Sequence, residues 1–177
     1  MEDKRYTVTA VYLHWGVAAI MVAMVWLGVY MANLPPTPEK FILYDAHKSI
    51  GVIAFLLVVF RLFWRLNHPA PVLPEAYSPL LRRASHVLHL LIYVLMIGVP
   101  VSGWIMSAAH GHPATLFGLV LPVPIEKNQL IAESVTGIHF ALSLALAVLV
   151  IGHTLIALKH HFIDKDGLLG RMGIGRM

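Results

Sequence analysis

The chain has 177 residues, of which 58% are hydrophobic and 12% charged, with a mean hydropathy of +0.75, a net charge of +4 and no cysteine. Soluble domains carry roughly twice that charged fraction, so the composition describes a single membrane domain over 1–177 with no room for a separate soluble catalytic unit. The missing cysteines exclude disulfides, thiolate zinc sites, iron–sulfur clusters and covalent haem attachment, and the modest positive charge fits anionic lipid headgroups rather than nucleic acid.

A membrane-spanning helix needs about 20 mostly apolar residues. Four stretches meet that length: about 10–32, 46–66, 84–107 and 134–158. The first follows the charged start Met1-Glu2-Asp3-Lys4-Arg5 and is longer than a signal-peptide core, so it is expected to be a retained span. "NLPPTPEK" (Asn33–Lys40) separates it from the second, and the proline-rich "NHPAPVLPEAYSP" (Asn67–Pro79) separates the second from the third. In the third span Pro100, flanked by Gly98 and Gly103, predicts a kink. "HGHPATLFGLVLPVPIEKNQ" (His110–Gln129) breaks repeatedly at Gly and Pro, and its apolar core is too short to cross, which suits the interface. The expected fold is an all-α bundle of four transmembrane helices. Trp15, Trp26, Trp64 and Trp104 fall within or near the span ends, partly as an aromatic belt requires.

Cationic residues set the orientation. Lys4, Arg5, Arg61, Arg65, Arg82, Arg83, Lys159, Lys165, Arg171 and Arg176 fall on one side, and Lys40, Lys48 and Lys127 on the other. Ten against three places both termini in the cytoplasm. We call that side inner and the opposite side outer.

The histidines then sort by depth. His14 lies near the inner end of the first span and His153 near the inner end of the fourth. His47 begins the second span at the outer side, and His139 lies about one turn into the fourth, also outer. Fourteen residues separate His139 from His153. At 1.5 Å per residue that is ~21 Å of helix, and at 100° per residue it falls within about 40° of whole turns. Both imidazoles therefore leave one face of one helix at opposite depths. Two histidines from different helices at each level are too few for a structural zinc site. Two neutral imidazoles on opposite sides of a flat metal macrocycle are the arrangement of a bis-histidine b-type haem, and each level offers one such pair. Gly16, Gly51, Gly137 and Gly152 lie close to these histidines in sequence and would let a flat macrocycle approach. The plainer alternative is that these are interfacial or packing histidines, but ionisable groups inside spans are expensive and usually functional. His86 and His89, three apart at the inner start of the third span, compete with His14 as inner ligand, hydrogen-bond a haem propionate or a quinone carbonyl, or simply mark the interface.

Taken in order, "YLHW" (Tyr12–Trp15), "DAHKSIG" (Asp45–Gly51), "FRLFWRLNHPAP" (Phe60–Pro71), "ASHVLHLLIY" (Ala84–Tyr93), "GVPVSGW" (Gly98–Trp104) and "IHFALSLALAVLVIGHTLIALKHHFIDKDGLLGRM" (Ile138–Met172) resemble the prokaryotic cytochrome b561 family. The resemblance implies a four-helix bundle in the bacterial inner membrane with two haem b and quinone-linked electron transfer. It implies His14 and His153 as ligands of an inner haem, and His47 and His139 as ligands of an outer one. The same distribution of ligand histidines occurs in the larger cytochrome b subunits of formate dehydrogenases and hydrogenases. Small stand-alone members are similar to superoxide oxidase, which implies an enzyme taking electrons from superoxide outside and reducing ubiquinone near the inner side. The alternative is a membrane anchor passing electrons between a periplasmic redox protein or dehydrogenase and the quinone pool, and a third reading is a haem-free transporter or proton channel.

On the leading reading, Lys48, Lys40 and Lys127 would steer superoxide, or be ordinary solvated loop charges. Arg82, His86, His89, His160 and His161 are the candidates for binding and protonating a quinone, since histidine exchanges protons near neutral pH. Lys159, His160 and His161 also suit a snorkelling anchor. Arg61, one to two turns inside the second span, would grip a haem propionate or snorkel. His110 and His112 form an H-x-H that is a poor metal site by itself, and His68 reads as structural.

Overall fold

The computed structural model describes residues 5–72 and 77–174. Lys4 and Arg176, counted above among the inner cations, and residues 73–76 of the proline-rich connection lie outside the described residues.

Four long helices carry the fold: α1 (Val8–Ala32), α2 (Pro38–Asn67), α3 (Pro79–Ala109) and α4 (Gln129–Lys159). All four are long and apolar enough to cross a membrane, with mean hydropathy of 1.9 to 2.3 in their most apolar stretches. Each runs further than its hydropathy predicts, because local chemistry rather than hydropathy sets the ends. Pro38 and Pro79 sit in the first turns of α2 and α3, where a missing N–H costs nothing. Thr7, Ser78 and Asn128 cap α1, α3 and α4 by accepting from the backbone N–H groups of Ala10, Leu81 and Ile131. The early start of α2 changes one expectation. His47 does not begin this helix but lies about two and a half turns inside it. Helix α3 runs unbroken through Pro100.

The helices pack mainly as α3 on α4 and α1 on α2, with α2 against α3 joining the pairs. Their shared core is small: Val17, Val58, Tyr93, Met96 and Leu146, at least one from each helix. Large apolar side chains such as Trp26, Leu56, Leu90 and Leu155 point outwards. That is the arrangement for a lipid solvent, where apolar surface needs no covering and only polar groups must be satisfied internally.

Two irregular segments close the ends of the bundle. At the outer end, Thr115–Leu116 (β1) and Leu119–Val120 (β2) form a two-residue hairpin whose tip, Phe117 and Gly118, has φ of 48° and 90°. Positive φ at both tip residues is the geometry that matches strand twist. Ser49 of α2 fastens the hairpin: its hydroxyl donates to the Thr115 carbonyl at 2.9 Å and accepts the Phe117 N–H at 3.2 Å. At the inner end α4 continues into a π turn, His160–Asp164, and a 3-10 turn, Leu169–Met172. This tail returns across the bundle. Arg171 donates to the Val72 carbonyl at 2.9 Å, Trp15 Nε1 donates to the Met172 carbonyl at 3.0 Å, and Tyr6 N–H reaches the Arg171 carbonyl at 3.4 Å.

Candidate functional site

The bundle brings the four span histidines together in two tiers; on α4 Leu146 lies between His139 and His153 and packs with Val17, Val58, Tyr93 and Met96 of the other helices. All four imidazoles are half-buried.

In the outer tier, His139 is held by α3. Its Nδ1–H donates to the Val99 carbonyl at 3.0 Å, with the Ser102 hydroxyl also 3.0 Å away. Fixing Nδ1–H leaves Nε2 as the nitrogen with a free lone pair, the tautomer and orientation that metal-ligating histidines show. A β-carbon at Gly103 would lie 2.9 Å from His139 Cε1, so only glycine lets α3 come this close. On the opposite side, a β-carbon at Gly28 of α1 would lie 3.5 Å from His47 Cε1. His47 and His139 are within electrostatic range of each other. His47 Nδ1 is buried without a hydrogen-bond partner, and among the described residues the same holds for the Tyr93 hydroxyl and Trp104 Nε1. Each such orphan costs about 1–3 kcal/mol. Their presence beside the histidine tiers fits a site built around a further group.

In the inner tier, the ring centroids of His14 and His153 are 6.4 Å apart. That gap is wide enough to seat a metal ion about 2 Å from a nitrogen of each ring. His89 also packs against His153, at 5.3 Å, with its Nδ1–H donating to the Ser85 carbonyl at 2.6 Å. Arg61 reaches the same tier, donating from Nη2 to His14 Nδ1 at 3.0 Å. The Arg61 and Arg65 guanidinium groups both lie over the Tyr93 ring, at 5.5 and 5.8 Å. An arginine donating to Nδ1 puts the His14 proton on Nε2, so ligation through Nε2 requires Arg61 to let go. Hence the donor set fits a bis-histidine group at both levels. In the outer tier the ligand tautomer is already set for His139. In the inner tier His14 has the spacing and His89 has the tautomer.

The other predicted residues are placed as follows. Lys40 spends its ammonium on the Ala32 carbonyl at the end of α1, at 3.4 Å, and on the Leu34 carbonyl just beyond it, at 2.7 Å. Lys48 pairs with Asp45 at 2.6 Å. Lys127 is exposed, its methylenes against Gly111, and its ammonium has no polar partner among the described residues. His110 Nε2 lies 3.3 Å from the Thr136 hydroxyl, and His68 stacks on Trp64 with its Nδ1–H on the Trp64 carbonyl. His86 is exposed, and His161 packs edge-on against Phe162. Arg82 Nε donates to the Tyr77 carbonyl at 3.1 Å.

His160 stands apart from the other quinone candidates. Its Nδ1–H donates to Asp166 Oδ2 at 2.6 Å, and the Tyr77 hydroxyl donates to the same oxygen. Burial and then that bond to the Asp166 carboxylate push the Tyr77 hydroxyl up to about 12. For Asp166, burial opposes ionisation, yet hydrogen bonds from Tyr77, the Leu168 N–H and His160 outweigh it and hold the carboxyl below its usual range. Sequence reasoning missed Tyr77 and Asp166. The only signal for Asp166 was its spacing after the double histidine, and nothing in the loop sequence marked Tyr77.

A family model described as prokaryotic cytochrome b561 matches residues 5–175. "Cytochrome b561 homolog 2" of Escherichia coli (strain K12) is 36% identical over 177 residues, covering 96% of this chain and 91% of the relative. "Probable superoxide oxidase CybB" of Yersinia pestis is 29% identical over 170 residues, covering 96% of each. "Cytochrome b561 homolog 1" of Escherichia coli (strain K12) is 23% identical over 171 residues.

Proposed function

The chain belongs to the prokaryotic cytochrome b561 family and carries electrons across a bacterial membrane, and we propose that it does so as a superoxide:ubiquinone oxidoreductase with two b haems, one in each histidine tier. Two superoxide ions lose one electron each on the outer side, and one ubiquinone takes up the two electrons and two protons near the inner side. Haem iron, when bound, supplies the one-electron redox chemistry. His47 and His139 are the outer ligands and His14 and His153 the inner ones. Val99 and Ser102 hold the His139 ring, and Gly103 lets α3 close on the tier. Arg61 would have to release His14 and would then hold a haem propionate, a carboxylate that arginine can grip with two parallel bonds. Lys127 keeps a free positive charge at the outer surface for a small anion. His160 binds and protonates the quinone.

The observation that carries this reading is the two-tier arrangement of half-buried imidazoles, with His139 fixed in the ligating tautomer. The test is a haem-to-protein ratio and a reduced-minus-oxidised spectrum, followed by quinone reduction with a superoxide-generating system and no other protein. Two haems per chain and rapid quinone reduction are expected. His47→Ala or His139→Ala should lower the ratio to one. For the inner tier, His14→Ala should empty the site and His89→Ala should not.

The anchor reading keeps one specific observation in its favour. The hairpin tip presents Phe117 and Leu119 to the outside, 80% and 67% exposed, while Lys40 and Lys48 are already paired. Two haems with no turnover of superoxide by the isolated protein would select that reading.

A further inference from the structure

The chain does not end with its last span. Beyond Lys159 the helix widens into the π turn, Lys165 adopts a left-handed conformation at φ 52°, and Asp166 swings back beneath His160. Its backbone N–H reaches the His160 carbonyl at 3.4 Å. Single π turns inside or at the end of α-helices occur often at functional sites, because the extra residue re-aims a side chain. Here it aims His160 at a carboxylate.

Asp166 is held from three directions. Tyr77, on the connection before α3, and His160, at the end of α4, both donate to Oδ2, while the Leu168 N–H donates to Oδ1 at 3.0 Å. Only 15% of the His160 side chain and 17% of the Asp166 side chain remain exposed. Asp164 also comes within 3.1 Å of His160 Nδ1, but the Lys159 ammonium binds both of its carboxylate oxygens at 2.7 and 2.8 Å. His160, Asp164 and Asp166 bring one donor atom each within 4.8 Å of one another. With Lys159 already neutralising Asp164, the cluster is a hydrogen-bond relay rather than a cation site. His86 and His161 have no carboxylate partner among the described residues.

A carboxylate that accepts Nδ1–H selects one tautomer, fixes the ring and leaves Nε2 as the nitrogen that exchanges protons. We propose that Asp166 is a positioning residue for His160 in quinone reduction, with Tyr77 holding Asp166 in place. The inference rests on the quinone reading of His160 given above. As electrons reach the quinone, protonated His160 passes its Nε2 proton to the carbonyl oxygen it faces. The ring becomes neutral with Nδ1–H still on Asp166, and water on the inner side reloads Nε2. Two electrons from the inner tier, this proton and a second from water at the other carbonyl complete the quinol.

The experiment uses the full-length, haem-loaded protein in lipid vesicles, chemically reduced and mixed with a short-tail ubiquinone, with the rate of reoxidation followed over quinone concentration. Alongside it, nitrogen NMR of histidine-labelled protein reads the His160 tautomer without turnover. Asp166→Asn should lower the limiting rate about tenfold to a hundredfold, the low end of what a well-placed acid–base group supplies. Half-saturation should change little, and the Nδ1–H tautomer should be lost. Asp166→Glu should restore most of the rate, and it also serves as the readable variant if the asparagine protein does not assemble. A tautomer unchanged in Asp166→Asn overturns the positioning role whatever the rate. If His160→Gln leaves reoxidation unchanged, the quinone reading of His160 fails instead. Should His160→Gln slow the reaction while Asp166→Asn does not, the quinone reading stands and Asp166 has no part in it.

Discussion

Gly103 is the residue at which the outer tier has least freedom to adjust. An alanine there would set a methyl 2.9 Å from His139 Cε1 and 3.2 Å from Nδ1. A free imidazole would rotate away, but this one is pinned to Val99 and Ser102. The ring must therefore tilt and lose its Nδ1–H bond, or α3 must withdraw from α4. Gly103→Ala should lower outer haem occupancy and alter the low-temperature EPR signal of that haem, with the inner haem unchanged. An unaltered signal at full occupancy would show that the ring is not held as tightly as its hydrogen bonds imply. Gly16, Gly137 and Gly152 serve as a contrast. Their sequence positions beside the tier histidines suggest room for a flat group, and an added β-carbon at any of them would touch nothing within 4 Å. Gly103, where an added β-carbon would clash, lies on a helix other than the one bearing the ring it faces. Sequence adjacency cannot reveal a contact that packing creates between helices.

At the scale of elements, hydropathy located four spans but not their ends. Glu39, Lys40 and Asp45 depress the apolar signal before Ala46, although the helix already runs from Pro38. Lys40 reaches back to the Ala32 and Leu34 carbonyls at and just past the end of α1, and Lys48 pairs with Asp45, so the polar start of α2 is internally satisfied and remains helical. The hairpin and the tail are invisible to hydropathy because single side-chain bonds hold them. Ser49→Ala should detach β1–β2 from α2, removing two hydrogen bonds to a buried hydroxyl, each worth about 1 kcal/mol. Hydrogen exchange at Phe117 should accelerate severalfold while the four helices keep their protection. The tail has a pH signature of a definite sign. Asp166 is held below its usual value, so its contribution is present above that value and disappears as pH falls through the depressed one. Tyr77 is pushed up to about 12, so its contribution is full below the ordinary phenol range and disappears as pH rises through about 12. Exchange protection factors at Asp166 and Leu168 should be level between about pH 5 and pH 9 and should fall on either side. A decline within that window would mean that another group controls the tail.

The whole molecule separates its two tiers by a thin apolar layer. His139 and His153 lie on one face of α4, ~21 Å apart along a hydrocarbon core of about 30 Å. The buried core of the bundle is Val17, Val58, Met96 and Leu146 packed with Tyr93. The cluster of Tyr77, Asp166 and His160 lies at the inner end. On the proposed function, electrons entering from outside would cross most of the membrane, while the protons that complete the quinol would come from the inner water. About one charge should therefore cross per electron, and turnover should make the inner side negative. In sealed vesicles with the hairpin face outward, external superoxide and quinone in the bilayer should generate a lumen-negative potential that a potential-sensitive dye reports and a potassium ionophore abolishes. Quinone reduced at the outer end would produce turnover without potential, because neither electrons nor protons would traverse the apolar layer. Turnover of that kind would place the quinone beside His47 and His139 and remove any catalytic purpose for the inner tier.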